Sequence, residues 1–262
     1  MNLKDIKEMV EQCTTSLLKK KDFISAVEAT IKLLDNGELR TAEKINNKWH
    51  ANIWVKKAIL LYFKLHSIKR MRYGYDYYDK IPLKKLDGSV RVVPIGSTVR
   101  YGSFLEPRVV VMAPSYINIG AYVGADTMID SHVLIGSCAQ IGKSVHISAG
   151  VIIGGVLEPP QATPVIIEDG CFIGGQSGIY EGVIVKRRAV ISSGVIINQS
   201  TPIFDSTNGK IYYGVVPENA VVISGSLPKK TAFGEVQLAA AIIIKYRDEK
   251  TDSRTALEQA LR

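Results

Sequence analysis

Four side chains in the central part of the chain are candidates for acid–base catalysis: Asp130, His132, His146 and Glu181. The ordinary pKa of histidine suits a general base near neutral pH, which makes His132 a candidate for that role. Asp130 also fits a turn residue, and Glu181 also fits a solvated carboxylate at a corner. The sequence alone leaves both carboxylates open between catalysis and local structure.

Neither covalent catalysis by cysteine nor metal catalysis is favoured by the residues present. Cys13, Cys138 and Cys171 have no convincing activating partner. They also lack paired spacing, so we expect no disulfides and a reducing, cytoplasmic compartment. A zinc site of this kind needs three histidines, and the repetitive segment contains only two, His132 and His146. We therefore expect no bound metal.

The charge of the chain favours a small anionic ligand over nucleic acid. The 262 residues carry a formal net charge of +8. The basic residues do not form one long run with interleaved aromatics, and a phosphorylated cofactor needs only a few of them. No apolar run approaches the roughly 20 residues that span a membrane, and the charged N-terminus is unlike a signal peptide. We expect a small-molecule substrate and neither a nucleic-acid nor a membrane partner.

A large aliphatic residue recurs at every sixth position in three runs within residues 105–227, at positions 105–153, 167–203 and 216–222. These positions are Leu105, Val111, Ile117, Val123, Ile129, Ile135, Ile141, Ile147, Ile153, Ile167, Ile173, Ile179, Val185, Ile191, Ile197, Ile203, Val216 and Val222. A small or β-branched residue usually follows four positions later, as at Val109 and Ser115. A period of six fits neither a helix nor a plain strand and is typical of a parallel β-helix.

The repeats predict a triangular prism of about six coils, roughly 30 Å long at about 4.8 Å per coil. Both repeat positions point inward, and Cys171 occupies one of them. Burial of each large aliphatic contributes about 1.5–3 kcal/mol, so the prism has its own core. The position after each large aliphatic is often Gly, Asn, Asp or Ser, as at Gly124 and Asn118, and we interpret these positions as the tight corners.

The fold class predicted is mainly β, with a helical region before the prism and a small strand and helix after it. The predicted domains are residues 1–90, 91–228 and 229–262. In the first, residues 23–35 and 53–65 have helical spacing and Asn46-Asn47 predicts a hairpin. We expect these helices to cover the open end of the prism, because a terminal coil cannot be left bare.

The other segments are less regular. Residues 67–90 are basic and tyrosine-rich and indicate a connector without a clean period. A strand is predicted at residues 236–244 and a short helix at residues 254–261. Two excursions leave the repeat at residues 154–165, which hold three prolines, and at residues 204–214. A long loop on a rigid scaffold is usually functional, which draws attention to residues 154–165.

The run at residues 112–175 resembles the tetrahydrodipicolinate N-succinyltransferase family of hexapeptide-repeat acyltransferases. Further matching segments are RVVP at residues 91–94, EGVIV at 181–185, QST at 199–201 and the segment 222–228. The likeness covers nearly the whole chain. It implies a left-handed β-helix, a homotrimer with active sites between neighbouring prisms, and an acyl-CoA co-substrate.

The resemblance also implies roles for individual residues. The contacts to a dicarboxylate acceptor fall on Arg91 and Asp130, and an arginine can hold a carboxylate through two parallel hydrogen bonds. Arg100 is a second candidate for the acceptor or for anchoring a loop, and Gln176 and Ser177 lie at substrate-binding positions. His146 matches the family and can serve as a base or as part of the groove wall. The coenzyme A candidates are Gly154, Gly155, Gly174, Gly175, Lys229 and Lys230, with Lys186, Arg187 and Arg188 as further phosphate contacts.

Several positions depart from the family pattern. Gln176 replaces an arginine, and Gly178 replaces a glutamate implicated in acid–base catalysis. His132 stands where the family tends to have Trp, Pro202 where it has a basic residue, and Asn198 where it has Gly. These changes favour a changed acceptor or acyl group. Acetyl transfer from acetyl-CoA, as in a homologue of tabtoxin-like pathways, is therefore an alternative to succinyl transfer.

Transfer from a thioester to an amine can proceed by direct attack in a ternary complex. The reaction needs aligned substrates, a neutral amine and donors to the oxyanion, but no enzyme nucleophile. With Gly178 in place of the glutamate, the sequence leaves the base open among His132, His146, Glu181 and solvent. A non-catalytic β-helix scaffold is the alternative from a different class, although it would not need the proline-rich excursion.

Overall fold

The computed structural model describes residues 1–255 of the chain. The N-terminal part contains three α-helices and one short 3₁₀ turn. They are α1 (Leu3–Gln12), the 3₁₀ turn Leu17–Lys19, α2 (Lys21–Asp35) and α3 (Ile53–Leu65). The predicted hairpin lies between α2 and α3, with strands Ala42–Ile45 and Lys48–Ala51. Asn46 and Asn47 both have positive φ (48° and 63°), which a tight hairpin turn requires.

The centre of the molecule is a parallel β-helix whose two-residue strands stack into three walls. Wall 1 contains Arg91–Val92, Val110–Val111, Met128–Ile129, His146–Ile147, Phe172–Ile173 and Val190–Ile191, followed by the start of Ala220–Thr231. Wall 2 contains Thr98–Val99, Tyr116–Ile117, Leu134–Ile135, Ile152–Ile153, Gly178–Ile179 and Ile196–Ile197. Wall 3 contains Phe104–Leu105, Tyr122–Val123, Gln140–Ile141, Ile166–Ile167, Ile184–Val185 and Val215–Val216. We call the turns after walls 1, 2 and 3 the first, second and third corners.

The predicted inward register is confirmed. Every large aliphatic position of the repeat is at most 4% exposed, and Cys171 lies in the same core. Three inward hydroxyl groups, on Ser115, Thr127 and Ser177, donate to main-chain carbonyls at 2.8–2.9 Å. Each also accepts from a main-chain amide. These buried polar groups are therefore satisfied within the coil.

The prediction for the corners is only partly right. The left-handed backbone occurs two residues beyond the position that the sequence indicated, at φ between 53° and 80°. These residues include Gly102, Arg108, Gly120, Asp126, His132, Cys138, Ser144, Gly150, Gly170, Gln176, Gly182, Arg188 and Gly194. Glycine stands directly after the large aliphatic for a different reason, which is the close approach of the next coil. A Cβ at Gly124 would lie 2.6 Å from the main chain of Gly142. At Asn118 and Asp130 the side chain instead accepts a hydrogen bond from the next amide, at 2.9 and 2.7 Å.

The helical domain lies along the second corner and does not cover the open end of the prism as expected. Its core cluster includes Ile119 and Cys138 from that corner, and Leu157 packs against it. Thr41 Oγ1 donates to the Cys138 carbonyl oxygen at 2.9 Å. The reason is that this corner carries buried apolar side chains, which would be exposed without the helices.

The last coil is covered by C-terminal strands. The excursion at residues 204–214 contains the antiparallel pair Ile203–Asp205 and Ile211–Tyr212, and Ile203–Asp205 also pairs with Gly234–Tyr246. Ala220–Thr231 and Gly234–Tyr246 form a long antiparallel hairpin, which we call the arm. The strand predicted at residues 236–244 is therefore confirmed and is longer than expected.

Two other segments differ from the prediction. Residues 67–90 contain a hairpin, Lys69–Tyr73 with Tyr75–Asp79, which turns at Gly74 with φ of 82°. The last described helix, α4, spans Glu249–Thr255, so most of the helix predicted at 254–261 lies outside the described residues. Within residues 1–255, no helix is long and apolar enough to cross a membrane.

Glu168 joins the N-terminal hairpin to the prism. It accepts from Lys44 Nζ at 2.7 Å, from Trp49 Nε1 at 2.8 Å and from the Arg187 amide at 3.0 Å. Burial raises the pKa of Glu168, but these hydrogen bonds outweigh burial and hold the pKa below its ordinary value. A carboxyl whose pKa is depressed by folding stabilises the fold above its unfolded pKa of about 4.3. That contribution is lost as the pH falls through the folded pKa.

Glu168→Gln should therefore lower the free energy of unfolding at pH 7 by about 1–3 kcal/mol. The difference from the wild type should begin to shrink below the unfolded pKa of about 4.3 and be lost as the pH falls through the lower folded pKa. Urea unfolding at pH 7 and at about pH 3.5, at one protein concentration, measures both values. Glu235→Gln on the exposed arm is the control. An equal difference at the two pH values would contradict this account of Glu168.

Candidate functional site

Five predicted site residues lie along the first corner: Asp130, His132, Gly174, Gly175 and Gln176. Asp130 and Gly174 occupy equivalent positions two coils apart, which is about 10 Å along the prism. The Asp130 carboxylate accepts from the Ser131 amide through Oδ1 at 2.7 Å. His132 and Gln176 are exposed at left-handed positions, with φ of 61° and 63°. The corner thus presents one carboxylate, one imidazole and one amide to solvent.

His146 and Arg91 project from wall 1. The His146 ring stacks on Phe172 of the next coil, with centroids 4.9 Å apart and planes 7° from parallel. Arg91 lies on the first coil, at a groove of about 630 Å³ that Arg108 and Asp126 also line. This groove opens at the third corner, so Arg91 and His132 approach solvent at opposite edges of wall 1.

A second groove, the loop groove, lies between residues 154–165 and the second corner of the later coils. Its volume is about 770 Å³, and it brings together Gly154, Gly155 and Glu181 of the predicted site. Glu181 accepts from the Gln199 amide at 3.3 Å through Oε2. Asn198, one of the departures from the family pattern, also lines this groove.

Other predicted residues lie outside the two grooves. Ser177 is 1% exposed and faces the prism interior, where its hydroxyl donates to the Ser192 carbonyl oxygen. Arg100 forms an ion pair with Asp79 and donates to Asn118 Oδ1 at 3.2 Å, so it ties the hairpin at residues 69–79 to the first coils. Lys229 and Lys230 lie within the outer half of the arm rather than just past the last coil. They pair with Val236 and Glu235.

Tyr180 was missed by sequence reasoning. Its ring lies across Gly178 on the outer surface of wall 2, and a Cβ at Gly178 would be 2.8 Å from the Tyr180 hydroxyl oxygen. Tyr180 therefore fills the space in which a side chain at position 178 would lie. The signal available in the sequence was a glycine at the outward position of the strand Gly178–Ile179 with a tyrosine directly after that strand.

The cysteine thiols are buried and unreactive. Burial raises the pKa of Cys138 to about 12, and it raises the pKa of Cys171 still further. Burial also raises the pKa of Cys13. A thiol held in the protonated form is a poor nucleophile. In the described part of the chain, no three His, Cys, Asp or Glu side chains are grouped as metal ligands.

The loop groove reaches from the second corner onto the outer face of wall 2, where Leu134, Ile152 and Ile196 line it. Ile152 and Ile196 are 38% and 53% exposed. The first corner offers Asp130 and His132, while the loop groove offers glycine backbone and Glu181. Asp130 and His132 lie at the first-corner edge of this wall, and Glu181 lies at its second-corner edge.

Comparison with known proteins places both main parts of the chain in one family. Residues 3–65 match the family model for the tetrahydrodipicolinate N-succinyltransferase N-terminal region, and residues 164–199 match the hexapeptide repeat of succinyl-transferase. A 2,3,4,5-tetrahydropyridine-2,6-dicarboxylate N-succinyltransferase from Acinetobacter baylyi is 52% identical over 250 residues, covering 92% of this chain and 90% of that protein. The enzyme of the same name from Dechloromonas aromatica is 49% identical over 248 residues, covering 91% and 90%.

Among solved structures, a putative 2,3,4,5-tetrahydropyridine-2-carboxylate N-succinyltransferase from Campylobacter jejuni matches with a TM-score of 0.48 and 14% identity. It covers 89% of this chain and 64% of that one. The repeat match assigns the coils to the left-handed hexapeptide class, as the family resemblance of residues 112–175 implied.

Gly178→Ala tests the packing of Tyr180 on wall 2. The added methyl group would collide with the ring, and overpacking of this kind costs about 1–3 kcal/mol. The same substitution in a Tyr180→Ala background should cost much less, because the ring is absent. Thermal or urea unfolding of the wild type, the two single variants and the double variant gives the coupling between the two positions. Equal costs in both backgrounds would show that Tyr180 does not occupy this space.

Proposed function

Because the chain belongs to the tetrahydrodipicolinate N-succinyltransferase family, we propose that it transfers succinyl from succinyl-CoA to the amine of tetrahydrodipicolinate. The observation that carries this proposal is the similarity to relatives that have this activity in their names. One of them is 52% identical, and the match covers 92% of this chain and 90% of that relative. The grooves on wall 1 and beside residues 154–165 support a small-molecule reaction. The family assignment argues against a bare scaffold.

The acceptor in the relatives' names is a cyclic imine with two carboxylates. Water adds to the imine and opens the ring to an amine and a ketone. The amine nitrogen attacks the thioester carbonyl and loses a proton, the carbon–sulfur bond breaks, and coenzyme A leaves as the thiol. The protein needs to align the two substrates, accept the proton and donate hydrogen bonds to the oxyanion. The buried, protonated cysteines are consistent with this direct attack.

The acceptor contacts in this proposal are Asp130 and Arg91. On one chain they lie at opposite edges of wall 1 and two coils apart, so Arg91 would reach the same acceptor from a neighbouring copy. Arg91 suits a carboxylate because its guanidinium can form two parallel hydrogen bonds. Asp130 suits an ammonium or amine because its carboxylate stands at the first corner, where one oxygen already bonds to Ser131. Gln176 lies further along the same corner and is an additional acceptor contact. Ser177, which faces inward, acts by holding that corner in shape.

The proton acceptor is proposed among groups that border the two sites. Gly178 provides no carboxylate, and Tyr180 covers it. His132 is exposed next to Asp130, and Glu181 lines the loop groove. The His146 ring, stacked on Phe172, supports the surface of wall 1. Comparison of the pH–rate profiles of His132→Gln and Glu181→Gln would distinguish the first two, because loss of the base removes its limb of the profile.

Coenzyme A is proposed to bind along the loop groove. The pantetheine arm contains amides that can bond to the backbone at Gly154 and Gly155, with Gly174 and Gly175 as the corresponding backbone on the first corner. The phosphates need cations, and Lys229 and Lys230 on the exposed arm are candidates together with Lys186, Arg187 and Arg188. No metal takes part in the proposed reaction.

We propose that the enzyme is a homotrimer with each active site between two prisms. On one chain, Asp130 lies at the first-corner edge of wall 2 and outside the lining of the loop groove. Ile152 and Ile196, which line the groove on wall 2, are exposed apolar residues that a neighbouring copy packed beside the groove would help to cover. Packing a second prism against this wall would place the loop groove of one copy beside the first corner of another.

A competition between acyl donors tests the proposed function. The protein is incubated with tetrahydrodipicolinate and equal amounts of succinyl-CoA and acetyl-CoA, and the products are identified by mass spectrometry. We expect the succinylated amine and one free coenzyme A per product. An acetylated product alone would support the acetyltransferase alternative, to which Gln176 and Gly178 point. Consumption of neither thioester would contradict an acyltransferase altogether.

Asp130→Asn tests the acceptor site. We expect kcat/KM for the acceptor to fall about 100-fold, because loss of a charged partner at a binding site costs about 2–5 kcal/mol. The KM for succinyl-CoA should change little. Asp76→Asn is the control, since Asp76 lies on the distant hairpin and pairs with Arg70. Full activity of Asp130→Asn would remove Asp130 from the site.

A further inference from the structure

Lys56 is a fully buried lysine in helix α3, and it contacts the excursion at residues 154–165. Its side chain is 0% exposed. Nζ donates to the Ala162 carbonyl oxygen at 2.6 Å and to the Pro159 carbonyl oxygen at 3.3 Å. Lys56 takes part in none of the ion pairs formed within residues 1–255. The helical domain therefore bonds to the excursion through a buried cation and two carbonyls.

We propose that Lys56 is a positioning residue that fixes the wall of the loop groove and thereby sets the affinity for the acyl-CoA donor. This inference rests on the proposed function, because it assigns the donor to that groove. Pro159 and Ala162, whose carbonyls Lys56 holds, both line the groove. A change in their position alters the shape of the groove directly.

The energetic argument starts from the cost of burying an ammonium group. An ammonium group that is removed from water without compensating partners loses much of its favourable solvation free energy. The folded protein must therefore keep hydrogen bonds to that group. Burial lowers the pKa of Lys56, as expected for a cation without a neighbouring carboxylate. The two carbonyls are the compensation that this position offers. Excursion conformations that turn them away leave the cation unsatisfied and are disfavoured.

The remaining anchors of the excursion leave its tip dependent on Lys56. At its start, the Val156 amide donates to the Ser137 carbonyl oxygen at 3.1 Å, and Leu157 packs on the helical domain. At its end, Thr163 packs closely against Gly182, and a Cβ added to Gly182 would collide with the main chain of Thr163. Between these anchors, the Ala162 amide donates to the Pro159 carbonyl oxygen at 3.0 Å and closes a turn. Lys56 donates to the first and last carbonyl oxygens of this turn, those of Pro159 and Ala162.

Lys56→Met removes the donors while retaining a long apolar side chain that suits a core. Lys57→Met is the matched control on the same helix, because it removes the same charge and a similar bond, from Nζ to the Glu11 carbonyl oxygen at 2.6 Å. Hydrogen exchange, measured by mass spectrometry on the full-length protein, reports how often the amides of the excursion open, and it needs no assay of activity. In Lys56→Met we expect the amides of residues 156–163 to exchange about tenfold faster, with α3 unchanged. Lys57→Met should leave the loop at the wild-type rate.

Kinetics provide the second measurement. In Lys56→Met the KM for succinyl-CoA should rise about tenfold, with a smaller change in kcat and in the KM of the acceptor, whose contacts lie on another wall. Lys56→Gln, which keeps one amide donor, should lie between Lys56→Met and the wild type in both measurements. It also replaces Lys56→Met if that variant does not fold.

The outcomes separate the two proposals. Unchanged loop exchange in both Lys56 variants would overturn the positioning role, as would an equal increase throughout the helical domain. Faster loop exchange with an unchanged KM for the thioester would overturn the link to donor binding. A wild-type protein that consumes no acyl thioester would contradict the proposed function, whereas the exchange result would still stand or fall by itself.

Discussion

The close approach of successive coils is the constraint on which the rest of the structure depends. The coils stack so tightly that a Cβ at Gly124 would lie 2.6 Å from the main chain of Gly142, and one at Gly174 would lie 2.5 Å from the Ser193 nitrogen. The interior is filled by aliphatic columns that are almost completely buried. Substitutions that change chemistry are therefore confined to outward side chains, corners and excursions. All the exposed residues of the proposed site lie at such places.

This constraint also explains how the site is divided. Asp130 stands on the first corner and Glu181 in the loop groove, and in the proposed function a second copy brings the two places together. The excursion at residues 154–165 is held on one side by the coils and on the other by the helical domain through Lys56. The position of the N-terminal helices along the prism thus contributes to the shape of the groove, which a cap over the open end would not do.

The coils were predictable from the sequence because a six-residue period is typical of a parallel β-helix, and each large aliphatic faces inward as expected. The left-handedness came from the family resemblance. The corner geometry was not predictable. Glycine is suited both to positions with positive φ and to positions where the next coil stacks closely, and the residue type alone does not tell which of the two applies. The position of the helical domain depends on contacts between distant segments, such as Thr41 with Cys138. The same limit applies to the site. Arg100 and Lys229 have suitable side chains, but only three-dimensional packing tells that the first holds a hairpin and the second lies on the arm. Ser177 differs, because it stands four residues after Ile173, an inward position of the repeat that already indicates burial.

The central claim is that a thioester in the loop groove of one prism meets an amine at the first corner of another. A crystal structure of the protein with coenzyme A and a dicarboxylate acceptor analogue tests it most directly. We predict the pantetheine arm beside Gly154 and Gly155, with the acceptor against Asp130 of a neighbouring copy. Coenzyme A bound away from residues 154–165, or both ligands bound within one isolated chain, would contradict the account.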